Sequence, residues 1–104
     1  MKRLPKRFRK FQNDFPEVAL AYEALGTAVH NAGSLNEKMR SLIKLAISTG
    51  AGMEGAVHSH TRKAIDAGCT KTEIKQTVIL ALPTIGFPAT MAVMSWVEDI
   101  IEKN

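Results

Sequence analysis

The chain has 104 residues, 45% of them hydrophobic, with a formal net charge of +4 and a single cysteine. That length makes one domain with a core of its own and leaves apolar surface that other subunits are expected to cover. One thiol rules out an intrachain disulfide, and no apolar run reaches the ~20 residues that span a bilayer.

The charge belongs to one end. Lys2, Arg3, Lys6, Arg7, Arg9 and Lys10 supply six of the fourteen cations with no acid among them, which leaves eight bases against ten acids. This segment lacks the apolar stretch and cleavage site of a secretory signal, so a cytoplasmic protein is expected, in keeping with a single thiol in a reducing compartment. A basic arm over residues 1–13 has the charge to touch phosphates. With no reading helix or aromatic RNA platform beside it, the arm is expected to be solvated or to pack across a neighbouring subunit. Neither nucleic acid nor membrane is an expected partner. The arm precedes a domain over residues 14–104.

Five helical segments follow in chain order. Asp14 is positioned to cap the first, with Glu17 three residues on and Pro16 in the opening turn, and Gly33 ends it. Ser34 and Glu37 make the next capping-box pattern, after which Met39, Leu42, Ile43, Ala46 and Ile47 repeat at helical spacing until Gly50 and Gly52. A third helix runs from about Met53 to Ala67 and closes on Gly68. Thr70 and Glu73 launch a fourth through Ile74, Val78, Ile79 and Leu82, and the segment Pro83 to Pro88 bends or breaks the chain. The last is apolar through Met94 and Trp96 and charged from Glu98 on. No stretch alternates long enough for a strand, so the class is all-α, with five to six helices.

The third helix reads Met53-Glu54-Gly55-Ala56-Val57-His58-Ser59-His60-Thr61-Arg62-Lys63-Ala64-Ile65-Asp66-Ala67-Gly68. It resembles the core motif of the carboxymuconolactone decarboxylase and alkylhydroperoxidase D-like family, Cys-x-x-Cys-x-x-x-His followed by small or basic residues and Ala-Gly. The residues from Leu35 to Ile43 and from Ala67 to Ile74 are similar to that family's entry helix and post-motif capping box. The likeness covers roughly residues 15 to 100. It implies an all-helical alkylhydroperoxidase D-like fold in which a helical hairpin holds the site and subunits assemble as homotrimers or homohexamers. It also implies a histidine that takes a proton as a thiolate attacks a peroxide. Here the two sulfur positions hold Met53 and Ala56, and the position matching a further family acid holds Ser41.

Placed at ~100° steps, Met53, Ala56, Val57, His60 and Ala64 form the apolar stripe of this helix, with His60 its one polar group. Glu54 and His58, four apart, share a second face, where the carboxylate could orient the imidazole or simply form a surface pair. His58 and His60 point about 200° apart. One helix therefore cannot bring both to one ion, and a metal would need ligands from elsewhere, such as His30 or an acid near Glu98. Arg62 and Lys63 lie on the far side. Cys69, beyond Gly68 in the turn, reads as a packing thiol. The segment Ala81 to Met91 is a candidate wall for a small pocket beside His60.

The candidate catalytic residues are therefore His60, as proton acceptor or donor, with His58 and Glu54 assisting; no cofactor and no metal are assigned. The expected activity is thiol-independent acid–base chemistry of the decarboxylase, lyase or isomerase type on a small molecule, by analogy with the decarboxylase branch of the family. Two alternatives stay open. One is alkylhydroperoxidase or peroxiredoxin-like oxidant detoxification, an antioxidant role in which only Cys69 could act. The other is a non-catalytic oligomeric scaffold or ligand-binding protein, in which His60 is a core histidine bonded to a carbonyl.

Overall fold

The computed structural model describes residues 5–102, so Lys2 and Arg3 of the basic arm fall outside it. The described residues form six helices of nine or more residues and one of four, with no strand among them. The all-α class is as expected. None of these helices is long and apolar enough to cross a membrane. The chain divides into two compact units, one ending at Ser34 and the other starting at Leu35.

The first unit holds α1 (Lys6–Asp14) and α2 (Pro16–His30). The basic segment expected as an arm is thus helical from Lys6. Asp14 is the last residue of α1 rather than the cap of α2, and its carboxylate accepts from Lys10 Nζ at 2.8 Å, one turn back. The break falls on Phe15, whose extended φ of −137° suits a residue preceding proline, and Pro16 then takes the opening turn of α2. Phe8, Phe11 and Phe15 stack along one face with successive ring centroids 6.1 Å apart. In α2 only Ala19 is buried, whereas Val18, Leu20, Tyr22, Leu25 and Val29 are each more than half exposed.

The second unit holds α3 (Glu37–Ala51), α4 (Glu54–Asp66), α5 (Lys71–Ile79), α6 (Leu82–Ile85) and α7 (Phe87–Ile101). Its helices begin and end where backbone groups find local partners. Asn36, not Ser34, caps α3: its Oδ1 accepts from Met39 N–H at 2.9 Å, because the helix opens at Glu37 and Ser34 lies too far upstream. Gly52, at φ +66°, closes α3, with Met53 N–H donating to Ser48 O and Gly52 N–H to Thr49 O. The same paired closure recurs after α4, where Gly68 sits at φ +91° and Cys69 N–H reaches Ala64 O. Both follow from orphan carbonyls at a helix end that a left-handed residue lets the chain turn back to satisfy.

The capping box expected at Thr70 and Glu73 is present in both directions, Glu73 N–H to Thr70 Oγ1 at 3.0 Å and Thr70 N–H to Glu73 Oε1 at 2.8 Å. The helix it starts ends at Ile79 rather than running on through Leu82. The proline-bounded break contains α6, and Gly86 at φ +92° starts α7, where Thr90 Oγ1 donates to Gly86 O at 2.7 Å.

Helix α4 is sandwiched, packing on α3 along one side and α7 along another, while α5 leans on both α3 and α7. Leu45, Val57, Ala64, Cys69, Ile74, Val78, Val93, Val97 and Ile101 make a single core, with Leu42, Met94 and Trp96 packed against it. This core fixes α4 in rotation, and that rotation decides where each of its polar side chains goes.

Candidate functional site

The buried edge of α4 runs through Val57, Thr61 and Ala64, all 0% exposed, so Val57 and Ala64 of the expected stripe lie on it while Met53, Ala56 and His60 do not. Met53 is largely exposed, and Ala56 and His60 are half-buried. The expectation that His60 is the one polar group on the buried face is therefore corrected: Thr61 is more deeply buried. Its Oγ1, like that of Thr49 on α3, has no hydrogen-bond partner among the described residues. The spacing of Val57, Thr61 and Ala64, four and three apart, is the signal that points to this edge. His60 lies on the flank of the core, beside residues of α3.

That flank is a cavity of about 240 Å³ lined by Lys44, Ile47, Ser48 and Ala51 of α3, together with Met53, Ala56 and His60. The four α3 residues fall three, four and seven positions apart and so share one helix face. Met53, Ala56 and His60 have the same spacing along α4 and its N-cap, which places the methionine and alanine that the motif resemblance aligns with sulfur positions in one hollow with the histidine. The walls are mainly aliphatic. Ser48 is buried and its hydroxyl donates back to Lys44 O and Leu45 O, each at 3.0 Å, as helical serines do. The lining residues that carry polar side chains are thus His60, Lys44 and Ser48, whose hydroxyl is turned back to its own helix. Lys44 is the residue that sequence reasoning missed; only its place in the α3 repeat beside Ile47 and Ser48 could have suggested it.

The other sequence candidates are placed elsewhere. Glu54 and His58 do not line this cavity. They meet Asp99 of α7: His58 Nε2 lies 3.1 Å from Asp99 Oδ2, and the potential ligand atoms of all three residues fall within 4.8 Å of one another. Two residues apart on α4, His58 and His60 diverge as the helical angle requires. Within this chain no residue from Ala81 to Met91 lines the cavity, which corrects the expectation of a wall from that segment. Arg62 and Lys63 are likewise absent from it, and Ser41 is buried on α3 without lining it.

Cys69 belongs to the core. Its Sγ points to Lys38 O at 3.8 Å, and it lies outside the cavity lining. Burial pushes its pKa up, and the carboxylate of Glu73 adds to this, while Lys38 pulls weakly the other way. Lys38 Nζ and Glu73 Oε2 are themselves paired at 3.1 Å, tying α3 to the start of α5. The thiol is therefore held protonated, which is unfavourable for a nucleophile.

Comparison with known proteins agrees with this architecture. The model of the carboxymuconolactone decarboxylase family matches residues 16–99. An apo crystal structure of a carboxymuconolactone decarboxylase family protein from Legionella pneumophila is similar with a TM-score of 0.78 at 24% identity, covering 92% of this chain and 86% of that one. An uncharacterized protein of Haemophilus influenzae is 32% identical over 59 residues, 57% of this chain and 52% of that protein. The chain thus spans about half the length of this curated relative.

Proposed function

We propose that this chain, which belongs to the carboxymuconolactone decarboxylase family, is an acid–base enzyme of the decarboxylase, lyase or isomerase type that works without thiols on a small, partly apolar molecule. The observation that carries this is the cavity of about 240 Å³ that His60 and Lys44 both line among aliphatic side chains. A hollow of that size, with Lys44 and His60 in an otherwise mainly apolar lining, suits a small organic ligand.

In this reading His60 moves a proton to or from a carbon or oxygen of the bound molecule. Lys44 supplies the fixed positive charge that such chemistry needs where a carboxylate binds or an enolate-like charge develops. Ile47, Ala51 and Ala56 give the hollow its apolar lining. His58 and Glu54, engaged with Asp99, take no part in the pocket of their own chain.

The thiol-dependent alternative draws no support from Cys69, whose sulfur is packed in the core and held protonated. Assembly into a homotrimer or homohexamer remains part of the proposal, supported by the exposed Val18, Leu20, Tyr22, Leu25 and Val29 of α2.

The test is turnover of a panel of small β-keto and lactone carboxylates by the wild-type chain, His60→Gln and Lys44→Met, with native mass spectrometry recording assembly size. Loss of turnover in both variants at unchanged assembly size supports the reading. Wild-type turnover that survives His60→Gln, or a panel with no substrate and no ligand shifting the His60 ring resonances, overturns it.

A further inference from the structure

We propose that Glu54, His58 and Asp99 form a binding site for a divalent transition-metal ion, Zn²⁺ being the best match, separate from the His60 cavity. Each side chain offers one ligand atom, and the three atoms lie within 4.8 Å of one another. The placement is built into the fold. Glu54 and His58 are one turn apart on the same face of α4, and Asp99 comes from α7, which is held against α4 by the core containing Val57, Val93 and Val97. Core packing therefore fixes the distance between the two helices that carry the donors.

The donor chemistry selects the ion. One imidazole nitrogen and two carboxylate oxygens, with no sulfur, suit a borderline ion such as Zn²⁺ better than the all-oxygen preference of Mg²⁺ and Ca²⁺ or the thiolate preference of Cu⁺. Two carboxylates and a neutral imidazole also balance a dication. His58 Nε2 and Asp99 Oδ2, at 3.1 Å, already stand at the separation of adjacent ligands on one ion, given metal–ligand bonds of about 2.0–2.2 Å. Glu54, an exposed side chain, closes the remainder by rotation.

Glu54 and Asp99 are both exposed, so water reaches the remaining coordination positions. One feature opposes a cation: Glu54 lies in the first turn of α4, the positive end of the helix dipole. Both carboxylates are accordingly required, and losing either should weaken binding steeply. Glu54 matches only a spacer between the two sulfurs in the family motif, so the site is not inherited from the dithiol chemistry.

The test is calorimetric titration of the full chain with ZnCl₂, and in parallel with MgCl₂ and CaCl₂, alongside visible absorption of the Co²⁺-loaded protein. The expected result is a single Zn²⁺ site per chain, retained in His60→Gln and His30→Gln. It weakens roughly tenfold or more in Asp99→Asn and in His58→Gln, and the Mg²⁺ and Ca²⁺ affinities fall below that for Zn²⁺ by a similar factor. The Co²⁺ bands should vanish in His58→Gln. Absence of Zn²⁺ binding, equal affinity in Asp99→Asn, or loss in His60→Gln instead of His58→Gln overturns the proposal. Circular dichroism establishes which variants are folded, and a folded Asp99→Asn protein decides the matter by itself if His58→Gln is not.

Discussion

Lys44 of α3 and His60 of α4 face one cavity, although nothing in their sequence separation links them. The pairing arises because Leu45 and Val57, both fully buried, seat the two helices against each other and turn their flanking residues toward the same gap. In the proposed reading Lys44 holds an anion and His60 moves a proton beside it.

Replacing His60 by Gln keeps a hydrogen-bonding side chain of similar reach but removes the proton carrier. Turnover in the substrate panel should fall by about 10²- to 10⁴-fold in kcat. Lys44→Met should act mainly on carboxylate-bearing ligands, raising KM for these more than for neutral analogues. Steady-state kinetics on matched acid and amide ligands checks the difference.

Placing two thiols in the hollow should give it redox chemistry. In Met53→Cys/Ala56→Cys the two thiols stand three residues apart at the N-terminus of α4, where the helix dipole favours thiolate. Treatment with stoichiometric hydrogen peroxide should consume two thiols and leave one, Cys69. Thiol titration before and after oxidation reads the change, and an unchanged count would show that the two positions do not meet.

Cys69 should alkylate slowly. Burial and the Glu73 carboxylate push its thiol pKa above the ordinary range, so at neutral pH little thiolate is present. The rate of reaction with iodoacetamide in the folded chain should keep rising at pH values where a free cysteine has levelled off, and should reach the free-thiol rate in denaturant. A fast reaction at pH 7 in the folded chain would contradict the packed, protonated thiol.

The α5 capping box should leave a mark on acid stability. The Thr70 backbone N–H holds the Glu73 carboxyl below its usual pKa, with Lys38 adding to the effect. A carboxylate depressed in the folded state stabilises fully above its unfolded pKa, and that stabilisation is lost as pH falls through the folded value. Urea midpoints should therefore drop more between pH 6 and pH 3 for the wild type than for Glu73→Gln. Thr70→Ala, which removes the reciprocal half of the box, should cost about 1 kcal/mol at pH 7.

Several features were legible without coordinates. The Thr70–Glu73 box and the left-handed Gly68 are as the sequence suggests, because capping is decided within a few residues. The same local logic misplaced two caps. Asp14 found Lys10 one turn behind it, and Asn36 stood nearer the true start of α3 than Ser34. Both errors arise where neighbouring residues offer competing local hydrogen bonds. The angular divergence of His58 and His60 was also fixed by helix geometry alone.

The sequence by itself determined that this chain is all-helical and where α4 runs. Those properties depend on periodicity and on hydrogen bonds between residues close in the chain. Tertiary structure alone decided that Thr61 is buried more deeply than His60, that Lys44 shares the histidine's cavity, and that Asp99 meets Glu54 and His58. Each depends on how one helix is rotated against another, and that rotation is set by the fit of Leu45, Val57, Val93 and Val97 in a shared core.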